Sequence, residues 1–243
     1  MLSNEVKVLI AIQARSNSKR FPQKIYNMIG KKTVLQHVVD SAMSSKRYIS
    51  MSTHKKKIDC NVAILHPNGD HQLITACKGR GVQLIGGEEE NVLSRYLNAF
   101  EQMKPDYIVR LTSDCPLILD FVITKHINTA VLNELDYVSN VEESCRLAFD
   151  GLDCEVISGA AIEWLRENAI TDYDKEHVTT AIRRERPKEL SQGFVSFKLD
   201  NSSLKLSLDT PEDLDRIREY YHKRELKMLE ATKLFGRRFI YEL

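Results

Sequence analysis

The chain has 243 residues, 42% hydrophobic and 28% charged, the balance of an ordinary globular protein long enough for one large domain or two small ones. A formal net charge of +1 excludes a global pull toward nucleic acid or an anionic membrane surface. No apolar stretch approaches the roughly 20 residues of a membrane span. Residues 1–5 lack the basic region of a signal peptide, and the five scattered cysteines have no C-x-x-C spacing. Reduced thiols in a cytoplasmic protein are expected, with neither a zinc site nor a disulfide framework.

Residues 6–12 (VKVLIAI) are short, apolar and rich in Val and Ile, which predicts a buried first strand. The polar segment after it carries Arg15, Lys19, Arg20 and Lys24. A basic loop at the carboxyl end of the first strand of an α/β sheet stands where such sheets bind ligands, and four cations suit a triphosphate. A solvated basic turn has the same composition. It is neither G-x-x-x-x-G-K-[ST] nor G-x-G-x-x-G, so kinase, ATPase and dehydrogenase readings lose support. Thr33-Val34-Leu35-Gln36 has the form of a capping box, with Val34, Leu35, Val38, Val39 and Ala42 as a helical stripe. Residues 44–59 are polar and predict an exposed insertion. A second strand follows at 60–65, and Asn68-Gly69-Asp70 turns into a helix through about residue 79. Residues 82–85 form a short strand. The next helix puts Val92, Leu93, Tyr96, Leu97, Phe100 and Met103 on one face, with Glu88, Glu89 and Glu90 assigned to its first turn.

A central strand at 107–111 runs into 112–117 (TSDCPL), and a helix covers 120–133. Residues 136–149 are strand-like but irregular. A strand at 152–157 and a helix at 159–168, with Trp164 assigned to the core, come next. A helix over 174–186 and strands near 194–199 and 204–208 precede a final helix, for which Thr210 is the cap and Pro211 the first position. Strand and helix in alternation predict an α/β fold, a mixed but mostly parallel sheet with helices on both faces.

Asp114 follows an apolar strand directly, where a carboxylate reaches the same crevice as the basic loop. Asp209 ends a second apolar stretch. Magnesium takes one or two carboxylates plus phosphate oxygens, so the pair is a candidate Mg²⁺ site. A turn-forming Asp114 and a helix-entry Asp209 are the plainer alternatives.

The pattern Ala14-Arg15-x-x-Ser18-x-Arg20-x-Pro22-x-Lys24 resembles the nucleotide-binding loop of the CMP-sugar synthetases, the CMP-KDO and acylneuraminate cytidylyltransferases, and looks most like their SpsF branch. Residues 112–117 resemble that branch's T-x-D-x-P-L, and 208–214 its D-T-P-E-D-L. Residues 86–96 resemble G-x-E-x-D-V-L-x-R-Y, with Asn91 in place of Asp; 150–155 resemble D-G-L-D-V-E, and 176–179 match E-H-V-T. Each motif alone is weak, and together they span residues 8 to 214 in the family's order.

The resemblance implies a single Rossmann-like nucleotidyltransferase domain over 1–243. It implies a cytidylyltransferase moving CMP from CTP to an acidic or modified sugar for surface polysaccharide or glycoconjugate synthesis. Ala14, Arg15, Ser18, Lys19, Arg20 and Lys24 would hold the nucleotide, with Arg15 and Lys24 on the β- and γ-phosphates, and Asp114 and Asp209 would hold Mg²⁺. On the acceptor side it points to Arg95, Asp150, Asp153, Glu155 and His177, although Arg95 can face solvent and a lone helical His177 is more often structural. A homodimer is implied as well, with 136–158 as the candidate interface. Two rivals stand beside this: a nucleotide-sugar-dependent glycosyltransferase, against which no D-x-D motif closes a strand, and a non-catalytic nucleotide-binding regulatory protein of the same fold.

Overall fold

The computed structural model describes residues 5–51, 56–141, 150–197 and 204–235. The first strand, β1 (Glu5–Gln13), ends in the basic loop, which closes on a 3-10 turn at Lys24–Tyr26. A small hairpin of β2 (Met28–Ile29) and β3 (Lys32–Thr33) leads to α1 (Val34–Met51). The capping box is formed as expected: the Thr33 amide donates to Gln36 Oε1 at 2.7 Å, and the Gln36 amide to Thr33 Oγ1 at 3.2 Å. Then come β4 (Lys57–Pro67), α2 (His71–Cys77), β5 (Gln83–Gly87), α3 (Val92–Met103), β6 (Tyr107–Thr112) and α4 (Asp120–Asn133). The second half holds β7 (Tyr137–Ser139), β8 (Glu155–Ser158), α5 (Gly159–Asn168), α6 (Asp172–His177), α7 (Thr180–Glu185), β9 (Gln192–Phe194) and α8 (Pro211–Phe235).

Among the described residues seven strands form one sheet in the order β5-β4-β1-β6-β8-β7-β9. The strands β5, β4, β1 and β6 are parallel, β8 runs antiparallel to both β6 and β7, and β7 and β9 are parallel. The mixed, mostly parallel α/β architecture is therefore the one the sequence predicts. Alternation along β1 shows why both faces are covered. Val8, Ile10 and Ile12 enter a core with α1 and α4, whereas Leu9 and Ala11 enter a second core with α3, α5 and α7. No helix among the described residues is long and apolar enough to cross a membrane. Cys60, Cys77, Cys115 and Cys154 are free and buried; Cys145 lies outside the described residues.

Several expectations change. The stretch at 44–59 is not an irregular insertion, because α1 continues to Met51 and β4 begins at Lys57, with 52–55 outside the described residues. Ser45 and Ile49 are buried, and Ser45 Oγ meets Thr124 Oγ1 of α4 at 2.9 Å. A polar-looking helical turn is held by its neighbour there. Glu88, Glu89 and Glu90 precede α3, whose cap is Asn91. Trp164 is only partly buried, its indole N–H donating to Glu189 at 2.9 Å. The helix expected over 174–186 is two helices, broken at Val178. The strand-like 136–149 reduces to β7, with 142–149 outside the described residues; 198–203 lie outside them too.

Candidate functional site

At the carboxyl ends of β1 and β6 lies a cavity of about 450 Å³. The basic loop forms one wall. Its start is fixed by backbone: the Ala14 amide donates to the Leu65 carbonyl at 3.0 Å, and the Gln23 amide to Ser16 O at 3.0 Å. Its middle is fixed by Asp70, which accepts from the Ser16 amide (2.8 Å) and Ser16 Oγ (2.6 Å) while also capping α2 through the Leu73 amide at 3.1 Å. Gln23 adopts a left-handed conformation (φ 58°), which turns the chain so that Lys24 points inward.

The Lys24 ammonium is 2.8 Å from Asp114 Oδ2, 2.6 Å from the Leu208 carbonyl and 3.4 Å from Asp209 Oδ1, with 12% of its side chain exposed. Three oxygens from β6–α4 and the entry to α8 thus converge on one cation. A direct backbone bond joins the two segments, Leu208 N to Asp114 O at 2.8 Å. Asp209 is also approached by Arg20 at 2.9 Å and Lys205 at 3.4 Å. Burial pushes the Asp114 carboxyl up, but the Lys24 charge and hydrogen bond outweigh it and hold Asp114 below its usual value, so it is ionised at neutral pH. Asp213 accepts from the Asp209 and Thr210 amides and thereby fixes the Asp209 backbone.

The other wall comes from α3 and α6. Arg95 is 2% exposed and donates to the Glu88 and Glu89 carbonyls at 2.8 and 2.6 Å. Its stem lies over Gly87, where a Cβ would sit 2.7 Å from Arg95 Cγ. Burial lowers the Arg95 pKa, and Arg15 adds like-charge repulsion. No hydrogen bond or ion pair holds Arg15 among the described residues, and Lys19 meets Glu90 at 3.5 Å with both largely exposed. Glu176 and His177 close the far side. Burial keeps the His177 imidazole below its usual pKa, so it is neutral at neutral pH. The cavity lining counts six cations against three carboxylates, a field that draws in anions.

Ala14, Arg15, Ser18, Lys19, Arg20, Lys24, Arg95, Asp114, His177 and Asp209 all line this cavity. Asp150, Asp153 and Glu155 do not. Glu155 is a correction to the acceptor-binding expectation: it is fully buried, and its carboxylate takes Arg110 (2.5 Å), Arg183 (2.9 Å), Thr179 (2.7 Å) and the Tyr137 hydroxyl. That set saturates it. Asp150 pairs by a β-bridge with Lys205, and Gly151 (φ 111°) lets the chains touch, since a Cβ there would lie 2.5 Å from the Leu206 carbonyl carbon. Asp153 and Asp150 lie near the Cys115 thiol, whose pKa burial raises first and these charges raise further.

Sequence reasoning missed Gln13, Arg110, Thr112, Ser113 and Glu176 in the lining. Arg110 carried a signal, a cation inside the apolar run YIVRL. Gln13 is set by the buried Tyr96, whose hydroxyl donates to it at 3.0 Å.

Residues 9–235 match the family model described as cytidylyltransferase. An uncharacterized protein of Methanocaldococcus jannaschii is 30% identical over 210 residues, 86% of this chain and 80% of that one. The spore coat polysaccharide biosynthesis protein SpsF of Bacillus subtilis is 29% identical over 223 residues, 89% of this chain and 87% of its own. The solved structure of a cytidylyltransferase from Leptospira borgpetersenii superposes with a TM-score of 0.76 at 24% identity, over 97% of this chain and 99% of that one.

Proposed function

The chain belongs to the cytidylyltransferase family, and from that premise we propose that it transfers CMP from CTP to an acidic or modified sugar in the cytoplasm, releasing pyrophosphate. The observation that carries this is the cavity itself: an Arg15 with no ion pair among the described residues and a cluster of cations on one loop, facing two carboxylates that share a single cation. SpsF's role in spore coat polysaccharide biosynthesis supports a product destined for surface polysaccharide or glycoconjugate.

In this reading an acceptor hydroxyl oxygen attacks the α-phosphorus in line and gives up its proton to water, the bond from the α-phosphorus to the bridging β-phosphate oxygen breaks, and pyrophosphate leaves with the electron pair. Arg15 and Lys24, helped by Lys19 or Arg20, bind the β- and γ-phosphates and neutralise the charge that grows on the leaving group. Ser18 and the loop backbone orient the triphosphate. The donor set fits a magnesium ion, because three hard oxygens already converge on a cation at Asp114, Leu208 and Asp209. Bound there, the ion would supply charge neutralisation for phosphate oxygens and acidify the acceptor hydroxyl. Glu176 and His177 face the acceptor side, and the neutral His177 offers one donor and one acceptor to a sugar hydroxyl. Glu155 acts through Arg110, which it holds at the cavity edge.

The test is pyrophosphate release with CTP, ATP, GTP or UTP over a panel of nonulosonic and deoxy sugars in the presence of Mg²⁺. CTP-specific release supports the reading; preference for another triphosphate overturns it. Release of a free nucleoside diphosphate from a nucleotide sugar identifies a glycosyltransferase, and binding without turnover a regulatory protein. The single-domain homodimer joined through 136–158 belongs to the same proposal, and sedimentation of the full chain checks it.

A further inference from the structure

We propose that Lys24 is a resident stand-in for the divalent cation: its ammonium closes the Asp114–Asp209 site in the nucleotide-free protein, and a triphosphate opens the site by drawing that ammonium onto its outer phosphates. The inference rests on the nucleotidyl-transfer reading of this cavity.

Its ground is the coordination of Lys24 Nζ. The ammonium takes oxygens from two carboxylates and a carbonyl, at 2.8, 3.4 and 2.6 Å, and is largely withdrawn from solvent. These are the donors a hard divalent cation demands, but that ion needs them at about 2.0–2.1 Å and cannot share the space with an ammonium. Charge gives the same answer. Two carboxylates already meet three cations, since Arg20 and Lys205 both reach Asp209. Among the described residues only Lys24 contacts both acids, so Lys24 is the one a metal displaces.

The loop is built for that exchange. Its backbone is held, because Ile25 is 1% exposed and Gln23 is bonded to Ser16, whereas the lysine stem is a flexible four-carbon arm. That arm lines the cavity together with Arg15 and Ser18, on the wall assigned to the phosphates. A triphosphate therefore offers the ammonium an alternative set of oxygens, and CMP, lacking the two outer phosphates, does not. Metal and triphosphate bind cooperatively, each stabilising the state the other needs.

Mn²⁺ binding, read by electron paramagnetic resonance of the free ion, tests this without an acceptor or turnover. Lys24→Met is expected to bind Mn²⁺ at least about tenfold more tightly than the wild type when no nucleotide is present, the factor set by a competent fraction of about one tenth. In the wild type, CTP is expected to restore that affinity and CMP is not, measured against protein-free blanks. This second comparison needs no variant. Adding Asp114→Asn to Lys24→Met should abolish the gain. Equal Mn²⁺ affinity of wild type and Lys24→Met without nucleotide would overturn the stand-in role, as would equal effects of CTP and CMP. Failure of both proteins to bind Mn²⁺ under every condition would overturn the metal assignment along with it. Tight binding by both, with CTP-dependent pyrophosphate release intact, would overturn the Lys24 role alone.

Discussion

Two clusters of acids and bases flank the end of β6, built from the same residue types with opposite designs. In one, Glu155 is fully buried and its two oxygens take Arg110, Arg183, Thr179 and the Tyr137 hydroxyl. In the other, Asp114 and Asp209 are 30% and 21% exposed, line the cavity and share the Lys24 ammonium. Burial raises the pKa of Glu155 and of Asp114, and in both the neighbouring cations outweigh it, so both stay ionised at neutral pH. What separates them is spare capacity. A carboxylate accepts about four hydrogen bonds, and Glu155, fully buried, already takes four donors. The open pair has lone pairs facing solvent. Charge in a motif thus says little about function until the number of committed donors is known.

The sharpest way to break the comparison is to neutralise one acid in each cluster. Asp114→Asn and Asp209→Asn should each lower pyrophosphate release by at least about 10³-fold, with the double variant little worse than either, because residues acting as a unit are not additive. Steady-state rates over a Mg²⁺ titration check this; near-normal rates at saturating Mg²⁺ would return both aspartates to turn-forming roles. Glu155→Gln should instead cost about 3–5 kcal/mol of stability by stranding buried arginines, read as a fall in urea midpoint, while Mn²⁺ affinity stays unchanged. A shift in Mn²⁺ affinity would join the two clusters into one.

A buried group outside both clusters sets the baseline. His126 is fully buried; its Nδ1–H donates to Val122 O at 2.7 Å, and Nε2 has no partner among the described residues. Burial lowers its pKa from 6.5 to about 4. The unfolded chain takes up this proton below about pH 6.5 and the folded one does not, so stability falls as pH drops from 6.5 toward 4, by about 3 kcal/mol from this residue. Chemical denaturation across that window should show a slope that His126→Leu flattens. The Glu155 contribution has a different window: its lowered pKa makes it fully present above the ordinary glutamate value and lost only as pH falls below it. The smallest effect belongs to Arg20. It touches Asp209 at 2.9 Å but is 70% exposed, so Arg20→Ala should move stability by less than about 0.5 kcal/mol while weakening CTP binding, which calorimetry would register.

Much of this was legible in the sequence because it is local. The strand ending in a basic loop, the capping box at Thr33 and the aspartates after 108–111 and 206–208 are set by near neighbours in the chain. What was hidden depends on side-chain partners that no periodic pattern names. Nothing in 174–186 announces a break, since it holds neither Gly nor Pro. Yet Val178 takes φ 63° and ψ −62°, buried, with the Thr179 amide bonded to the His177 carbonyl at 2.7 Å. A β-branched residue resists that conformation. It is held from both sides: Thr179 binds Glu155, and Asp174 takes Thr171, Thr180 and Arg184. The assignment of Glu155 failed for the same reason. Its pairing with Arg110 is a matter of antiparallel register between β8 and β6, invisible in a motif.

The shared ammonium also dates the site within the life of the chain. Lys24 meets an acid 90 residues away and another 185 residues away. During synthesis the loop leaves the ribosome long before either partner exists, and closing contacts of such span is slow. A half-made chain can hold the basic loop, but the place where two acids meet needs residues 114 and 209 both to be present, so it is assembled only when the approach to α8 has docked.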